Sequence, residues 1–395
     1  MKILYIHQYF ITPNEPGGTR SYWLAKELIE SGHEVIMITS STKFDANLTI
    51  SDIEGIKVYY IKENYDQSMS IIRRLWAFIS FSVKSIKISF KIKNVDVVFA
   101  TSTPLTVGIP ALFLKFLKKI PYIFEVRDLW PEVPIQMGAI KNPILIFCAK
   151  TLEKIIYKNA NHVIALSPGM ADGVAKYVPR KKVTMIPNMS KIDEFWPRNL
   201  NFALMSELGL DEKSFKVVHF GSLGLANGVE SIIESAKLLR NNPEIDFLFI
   251  GGGATEKSLK EECELNELSN VKFLGKFPMK VTSEIVNFCH VSIVSFLDIP
   301  ILYTNSPNKL FDSLSAGKPI IVNSAGWTKD LVEENRCGYY VNPNDPTDLV
   351  SKILFLKDNS EVLKEMGRYS RIISEKVFDK SLLSKKLVKT IEGNV

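Results

Sequence analysis

Apolar runs of strand length recur along the chain with helix-period segments between them. In the first half they fall at residues 2–9 (KILYIHQY), 34–41 (EVIMITSS), 56–61, 95–102, 121–128, 162–167 and 183–188. Each run is nearly continuous and rich in Val and Ile instead of alternating. That pattern marks strands buried on both faces, and hence a parallel sheet covered by helices. Residues 186–201 (IPNMSKIDEFWPRNLN) break the pattern with two prolines and mixed polarity and read as an interdomain linker. A second set follows at 215–221, 245–252, 270–275, 290–296, 318–324 and 338–342, and from Asp345 onward the pattern is helical throughout. The pattern predicts an α/β chain of two tandem Rossmann-like domains, 1–190 and 191–370. A helical tail, 371–395, is expected to pack back on the first domain, and the carboxyl edges of the two parallel sheets are expected to face a central cleft.

Composition supports two cores: 395 residues, 46% apolar and 23% charged, exceed one ordinary domain and are too apolar for disorder. Cys148, Cys263, Cys289 and Cys337 are scattered with no CxxC pair, as are the five histidines, so neither a disulfide framework nor a metal site is predicted. No signal-peptide pattern opens the chain. The most apolar stretches, 75–83 and 104–117, fall short of the ~18 to 20 residues that span a bilayer. A cytoplasmic protein is expected.

Charge changes this picture. Residues 1–190 carry 24 Lys and Arg against 15 Asp and Glu, whereas 191–395 carry 25 against 28. Between Ile71 and Ile120 nine basic residues (Arg73, Arg74, Lys84, Lys87, Lys91, Lys93, Lys115, Lys118 and Lys119) face the single Asp96. They are interleaved with Trp76, Phe78, Phe81, Phe90, Phe113 and Phe116. The composition suits peripheral attachment to the inner leaflet of a membrane; ordinary core-facing helices with a solvated side are the alternative. No nucleic-acid-binding motif is present, so nucleic acid is not an expected partner.

Glycines mark the strand-to-helix turns. Gly17 and Gly18 follow the first strand, with Arg20 in the first turn of the next helix and Gly32 closing it. Gly221, Gly224 and Gly228 repeat the arrangement in the second half, and Gly251, Gly252 and Gly253 follow another strand. Such turns either hold an anion on free helix N–H groups or are simply turns. In YTNSPNKLFDSLSAGKPIIVNS, Ser306-Pro307 starts a helix with Lys309 in its first turn and Asp312 one turn later, and Gly317 ends it. The helix dipole disfavours a cation at that position, which points to an anionic partner for Lys309.

Four motifs in this order, PGGTRSYWLAKEL, EVRDLWPE, FGSLGLANG and SPNKLFDSLSAGKPI, resemble the retaining nucleotide-sugar glycosyltransferases of family 4, and the resemblance covers essentially the whole chain. Within that family the likeness is to the bacterial O-antigen and capsule branch that includes N-acetyl-L-fucosamine transferases. The resemblance implies the GT-B fold, a nucleotide-diphosphate-sugar donor such as a UDP-sugar, a lipid-diphosphate-linked saccharide acceptor, a metal-independent reaction and no cofactor. It implies that Gly18, with Gly17, lends backbone N–H to the diphosphate. Gly251, Gly252 and Gly253, with Phe277 of the GKF turn, would border the base, and Ser306 and Asn308 would lie on the donor side. The family's carboxylate pair maps onto Thr304 and Asp312, of which only Asp312 keeps the acid that would hold ribose hydroxyls. Ser222 and Asn227 stand, after Gly221, where many members place Arg and Lys. The family's cleft histidine falls at Arg127, beside Asp128. These departures leave Lys309 as the leading leaving-group cation, with Arg127 and Asp128 as further catalytic candidates. They also keep open a GT-B epimerase or an inactive donor-binding scaffold.

Overall fold

In the first half the apolar runs become strands β1 (Lys2–Ile6), β2 (Glu34–Ser41), β4 (Ile56–Lys62), β5 (Val97–Thr101), β6 (Tyr122–Val126), β7 (His162–Ala165) and β8 (Val183–Met185), joined by an additional β3 (Leu48–Ile53). They form one sheet in the order β3-β4-β2-β1-β5-β6-β7-β8. The computed structural model describes residues 1–15, 17–64 and 69–395, so Pro16 of the first glycine motif lies outside the described residues. Every pairing in this sheet is parallel except β3 with β4. Burial explains why: Ile3 to Ile6, Val97 to Ala100 and Tyr122 to Phe124 are all fully buried, as strands covered on both faces must be. The second half gives β9 (Phe215–Ser222), β10 (Ile245–Gly252), β11 (Val271–Gly275), β12 (Val291–Val294), β13 (Ile320–Val322) and β14 (Gly338–Tyr340), all parallel, in the order β11-β10-β9-β12-β13-β14.

The pattern missed β3 for a physical reason. LTISDI lies at the sheet edge with Leu48 and Ile50 exposed, so it lacks the continuous apolar run of a central strand. Its pairing with β4 is set instead by a two-residue turn in which Glu54 and Gly55 both take positive φ (50° and 89°), as a type I′ hairpin needs.

Two compact units result. One comprises residues 1–12, 19–187 and 381–395; the other comprises 188–380 with the loop residues 13–15, 17 and 18. Each is a doubly wound sheet with one point where the strand order reverses, between β1 and β5 in the first unit and between β9 and β12 in the second. Ligands of such sheets bind beyond the carboxyl ends of the strands at that point. The chain leaving β1, β5 and β9, and the helix that follows β12, are therefore the places to look for chemistry.

Helix ends follow the sequence signals. Helix Arg20–Glu30 closes with Gly32 at φ +85, whose N–H reaches Ile29 O, and helix Pro168–Ala175 is capped by Ser167 Oγ on Met170 N. Arg20, in the first turn of the first of these helices, is wholly buried and meets Glu125 of β6. Its Nε and Nη2 donate to Glu125 Oε1 at 3.0 and 2.8 Å, Nη2 also donates to Ile186 O, and Nη1 donates to Pro187 O. Glu125 Oε2 in turn accepts from the Thr101 hydroxyl. Of the residues read as a linker, 186 and 187 belong to the first unit and 188–201 to the second, where Asn188 bonds to Ser306 and Lys191 pairs with Asp312.

Replacing Arg20 by Met leaves the Glu125 carboxylate buried without a counter-charge. The expected cost is about 3–5 kcal/mol in urea unfolding, most of it recovered by the double variant Arg20→Met/Glu125→Leu. A single variant within about 1 kcal/mol of the parent shows that the pair carries no structural weight.

Candidate functional site

In the second unit the site is built where β9 and β10 end. The register pairs Gly251 with Gly221 and Gly252 with Ser222. Gly221 (φ +115) and Gly251 (φ +131) occupy backbone conformations that side chains rarely adopt, and a Cβ at Gly251 would stand 1.8 Å from Gly221 O. A Cβ at Gly253 would stand 2.3 Å from Leu223 O. These glycines are thus demanded first by two backbones running close together, a reason separate from ligand approach. Gly252 lies against Lys276 of the GKF turn, and Phe277 packs half-buried on the core group of Phe195, Val218 and Phe220.

Lys309 sits in the first turn of helix Asn308–Ser315, after Ser306-Pro307 as expected. It is only 8% exposed, and its Nζ lies 3.1 Å from both His219 Nε2 and Asn227 Oδ1. Burial lowers its pKa from 10.5 to about 7. His219, on β9, is buried too, and burial followed by the neighbouring Lys309 holds it well below the usual histidine range. A charged ammonium can only donate, so His219 Nε2 accepts and the ring is neutral. A Cβ at Gly221 would stand 3.4 Å from Lys309 Cε and 3.8 Å from Nζ, and Gly221 and Ser222 are exposed, so Lys309 is reached over the glycine.

The other second-unit candidates have local partners. Asp312 is buried, with its two oxygens 2.9 and 3.1 Å from Lys191 Nζ; burial raises its pKa and Lys191 opposes the rise. The Lys191 ammonium therefore competes with any ribose hydroxyl for this carboxylate. The Thr304 hydroxyl donates to Ile301 O at 2.7 Å. Ser306 is buried, its hydroxyl accepting from Asn188 N and its carbonyl from Asn188 Nδ2, while Asn308 is half-buried at the helix start.

In the first unit the chain leaving β1, β5 and β6 assembles a second polar group. In the loop after β1, which is grouped with the second unit, Gly17 takes φ +134 and Gly18 is partly exposed beside it. Arg127 Nη1 lies 3.3 Å from His7 Nε2, and the Arg127 backbone N–H reaches Ser102 Oγ. Arginine only donates, so His7 accepts at Nε2 and carries its proton on Nδ1, which donates to Ser21 Oγ at 2.9 Å. His7 is held neutral by burial first and by the Arg127 charge second. Asp128 accepts from the Thr103 hydroxyl at 2.9 Å, and burial pushes its pKa up against that bond and Arg127. It caps no helix, since helix Glu132–Gln136 begins after Pro131. Sequence reading passed over His7 and His219 as scattered structural histidines. The available signal was position: His219 lies on, and His7 directly follows, the strand flanking its sheet's reversal point.

The basic, aromatic segment divides in two. Phe78 and Phe81 are core residues. Lys84 pairs with Glu63, Lys115 donates to Asn159 O and Asn161 Oδ1, and Lys118 donates to Phe90 O. By contrast Ile72, Trp76, Ile79 and Val83 form an exposed stripe on helix Ile71–Lys91, and Phe113, Phe116 and Leu117 are exposed on helix Gly108–Lys118, which packs beside it. The next helix in contact, Pro143–Asn159, exposes Ile144 and Phe147, which the sequence reading did not include. No described helix is long and apolar enough to cross a membrane.

Residues 202–372 match the model of the Glycosyl transferases group 1 family, and residues 17–189 match that of the Glycosyl transferase 4-like domain. The chain is 24% identical over 276 residues, 68% of each chain, to the probable glycosyltransferase WbjE of Pseudomonas aeruginosa. In fold it resembles sucrose-phosphate synthase from Thermosynechococcus elongatus, at TM-score 0.80 and 16% identity over 99% of this chain and 98% of that one. It also resembles HepE from Anabaena in complex with UDP-glucose, at TM-score 0.73 and 17% identity over the whole of both chains. The two parallel-sheet units are those of the GT-B fold.

The depressed Lys309 pKa has a sign that unfolding measurements read. Between pH 7 and 10.5 the unfolded chain holds a proton that the folded chain lacks, so this lysine's penalty is full below pH 7 and fades as pH rises. Lys309→Met is expected to be stabilised relative to the parent below pH 7, and the gap is expected to shrink by about 1.4 kcal/mol per pH unit above it. A gap independent of pH places the ammonium in contact with water.

Proposed function

We propose that this chain, a glycosyltransferase of group 1 with a glycosyl transferase 4-like N-terminal domain, transfers a sugar from a UDP-sugar to a lipid-diphosphate-linked saccharide. The transfer retains the anomeric configuration and uses no metal. The observation that carries the reading is Lys309, a buried cation whose hydrogen-bond partners among the described residues, His219 and Asn227, are both neutral. Departure of a nucleoside diphosphate needs positive charge and N–H donors aimed at its oxygens, and little covalent help. Lys309 supplies the charge, and the Gly17 and Gly18 amides, Ser222 and Asn227 supply dipoles. Gly251, Gly252 and Gly253 with Phe277 border the base, and Thr304, Ser306 and Asn308 complete the donor side together with Asp312, which meets a ribose hydroxyl only in exchange for its bond to Lys191. The acceptor hydroxyl falls to the first unit's His7, Arg127 and Asp128. Similarity in fold to HepE with UDP-glucose supports a uridine nucleotide, and the motif resemblance supports N-acetyl-L-fucosamine and a place in O-antigen or capsule synthesis.

The acceptor's lipid and the exposed apolar stripe suit one another. Arg73, Lys87, Lys91, Lys93 and Lys119 are exposed around Ile72, Trp76, Phe113 and Phe116, an arrangement that inserts aromatics at the acyl boundary while cations face anionic headgroups. Each such cation contributes on the order of 1 kcal/mol near an anionic surface. The chain is accordingly assigned to the inner-leaflet surface.

The decisive assay supplies a panel of nucleotide sugars with and without lipid-linked acceptor. Acceptor-dependent release of UDP with sugar transfer is expected. Conversion of the donor without acceptor indicates an epimerase, and no release under any condition indicates a scaffold. In liposome flotation the parent is expected to rise with anionic vesicles, less so at high salt. The variant with Arg73, Arg74, Lys87 and Lys91 changed to Glu is expected to stay below. Equal flotation of the two, or none by the parent, overturns the membrane assignment.

A further inference from the structure

We propose that His219 and Asn227 are positioning residues which aim Lys309 and set its charge, so that one ammonium held by two neutral acceptors neutralises the leaving diphosphate. This rests on the reading of Lys309 as the leaving-group cation. The geometry is specific. His219 Nε2 and Asn227 Oδ1 each lie 3.1 Å from Nζ, which engages two of the three N–H bonds of an ammonium. The third is left for an oxygen arriving over Gly221, where even a Cβ would stand 3.8 Å from Nζ. His219 is anchored in the central strand β9, stacked at a tilt near Phe249, and Asn227 lies in the turn Leu225–Asn227 that leaves that strand. Both acceptors are therefore fixed by the sheet, and Lys309 comes to them.

The nearest ionisable groups at the neighbouring strand end are Lys276 and Glu256, both beside Gly252. β12 and β13, which pack on helix Asn308–Ser315, present no ionisable side chain. On the same helix Asp312 is taken by Lys191. Helix Ser360–Lys376, also packed there, contributes Arg371, whose Nη1 is spent on Ser315 O, Ile192 O and Phe195 O at the far end. Neutral acceptors solvate the ammonium without cancelling its charge, whereas a carboxylate would stabilise it and blunt its pull on a diphosphate. With a pKa near 7, Lys309 takes up a proton when the dianion arrives. Diphosphate affinity is then flat below pH 7 and falls up to tenfold per pH unit above it, until the pKa of the complex is reached.

The test measures UDP binding by calorimetry from pH 6 to 9.5 in the full-length protein, with circular dichroism melts to confirm folding. In the parent the affinity is expected to bend near pH 7, and in Lys309→Met to be at least tenfold weaker and without that bend. Asn227→Asp places a carboxylate on the ammonium and is expected to move the bend upward by a pH unit or more. His219→Gln, which keeps an acceptor, is expected to retain the bend within half a unit. His219→Phe, which keeps bulk but no acceptor, is expected to move it downward and weaken binding at pH 7. A merely structural role would lower melting temperatures and leave the bend where it is. If Lys309→Met loses the bend but Asn227→Asp and His219→Phe both keep the parental one, the positioning role is overturned while the Lys309 reading stands. If Lys309→Met binds UDP as the parent does, that reading fails first.

Discussion

The buried pair of Arg20 and Glu125 organises the first unit. A guanidinium and a carboxylate, each almost without exposure, are tolerable only when they are paired and well hydrogen-bonded. Arg20 achieves this by reaching three parts of the chain at once: its own helix after the Gly17-Gly18 loop, the end of β6, and the carbonyls of Ile186 and Pro187 where the unit's chain leaves. Two residues beyond Glu125 stands Arg127, and one residue beyond Arg20 stands Ser21, the partner of His7. Holding Arg20 to Glu125 thus sets the helix start and the strand end between which the His7, Arg127 and Asp128 group is suspended. The arginine that looks misplaced in the first turn of a helix is there for a carboxylate 105 residues away, beyond the reach of the dipole argument.

Most of the fold could be read from the sequence because it is parallel and covered on both sides. Continuous apolar runs such as VVFAT and YIFEV have no other comfortable environment, and thirteen of the fourteen strands coincide with such runs. β3 escaped because an edge strand that is half in water looks like a loop with a few apolar residues. In the candidate site, Lys309 was legible from a local conflict, a cation where a helix N-terminus repels one. His219 was not, since FKVVHFG reads as core and its histidine differs from a structural one only through Lys309, 90 residues on. Lys191 with Asp312 is hidden in the same way by a separation of 121 residues. The exposed Ile144 and Phe147 drew no notice, because apolar residues opening a helix ordinarily face a core.

Glycine motifs carried two meanings that only geometry separates. Gly251 and Gly253 are fixed by the backbone of the neighbouring strand end, since any Cβ would collide with Gly221 O or Leu223 O. Gly221 is different: its missing Cβ leaves open the approach to Lys309, and the nearest atoms of that space belong to the lysine side chain. A glycine-rich turn is therefore partly architecture and partly access, and the two roles fall on adjacent strands in register.

Helix Asn308–Ser315 sorts its charges in a way that distinguishes structure from function. Lys309 and Asp312, one turn apart, are neighbours of opposite charge. Yet Asp312 is claimed by Lys191, an ion pair closed within the unit, and no carboxylate among the described residues pairs with Lys309. A buried cation deprived of a counter-ion destabilises the fold, as its pKa near 7 records. Nothing in the packing requires a lysine at that position, since an apolar side chain of the same length would fill the space without desolvating a charge. The cost is intelligible if the missing anion is supplied from outside. An unpaired buried ammonium, reached over an exposed glycine at the end of a central strand, then marks where a negatively charged ligand completes the protein's own electrostatics.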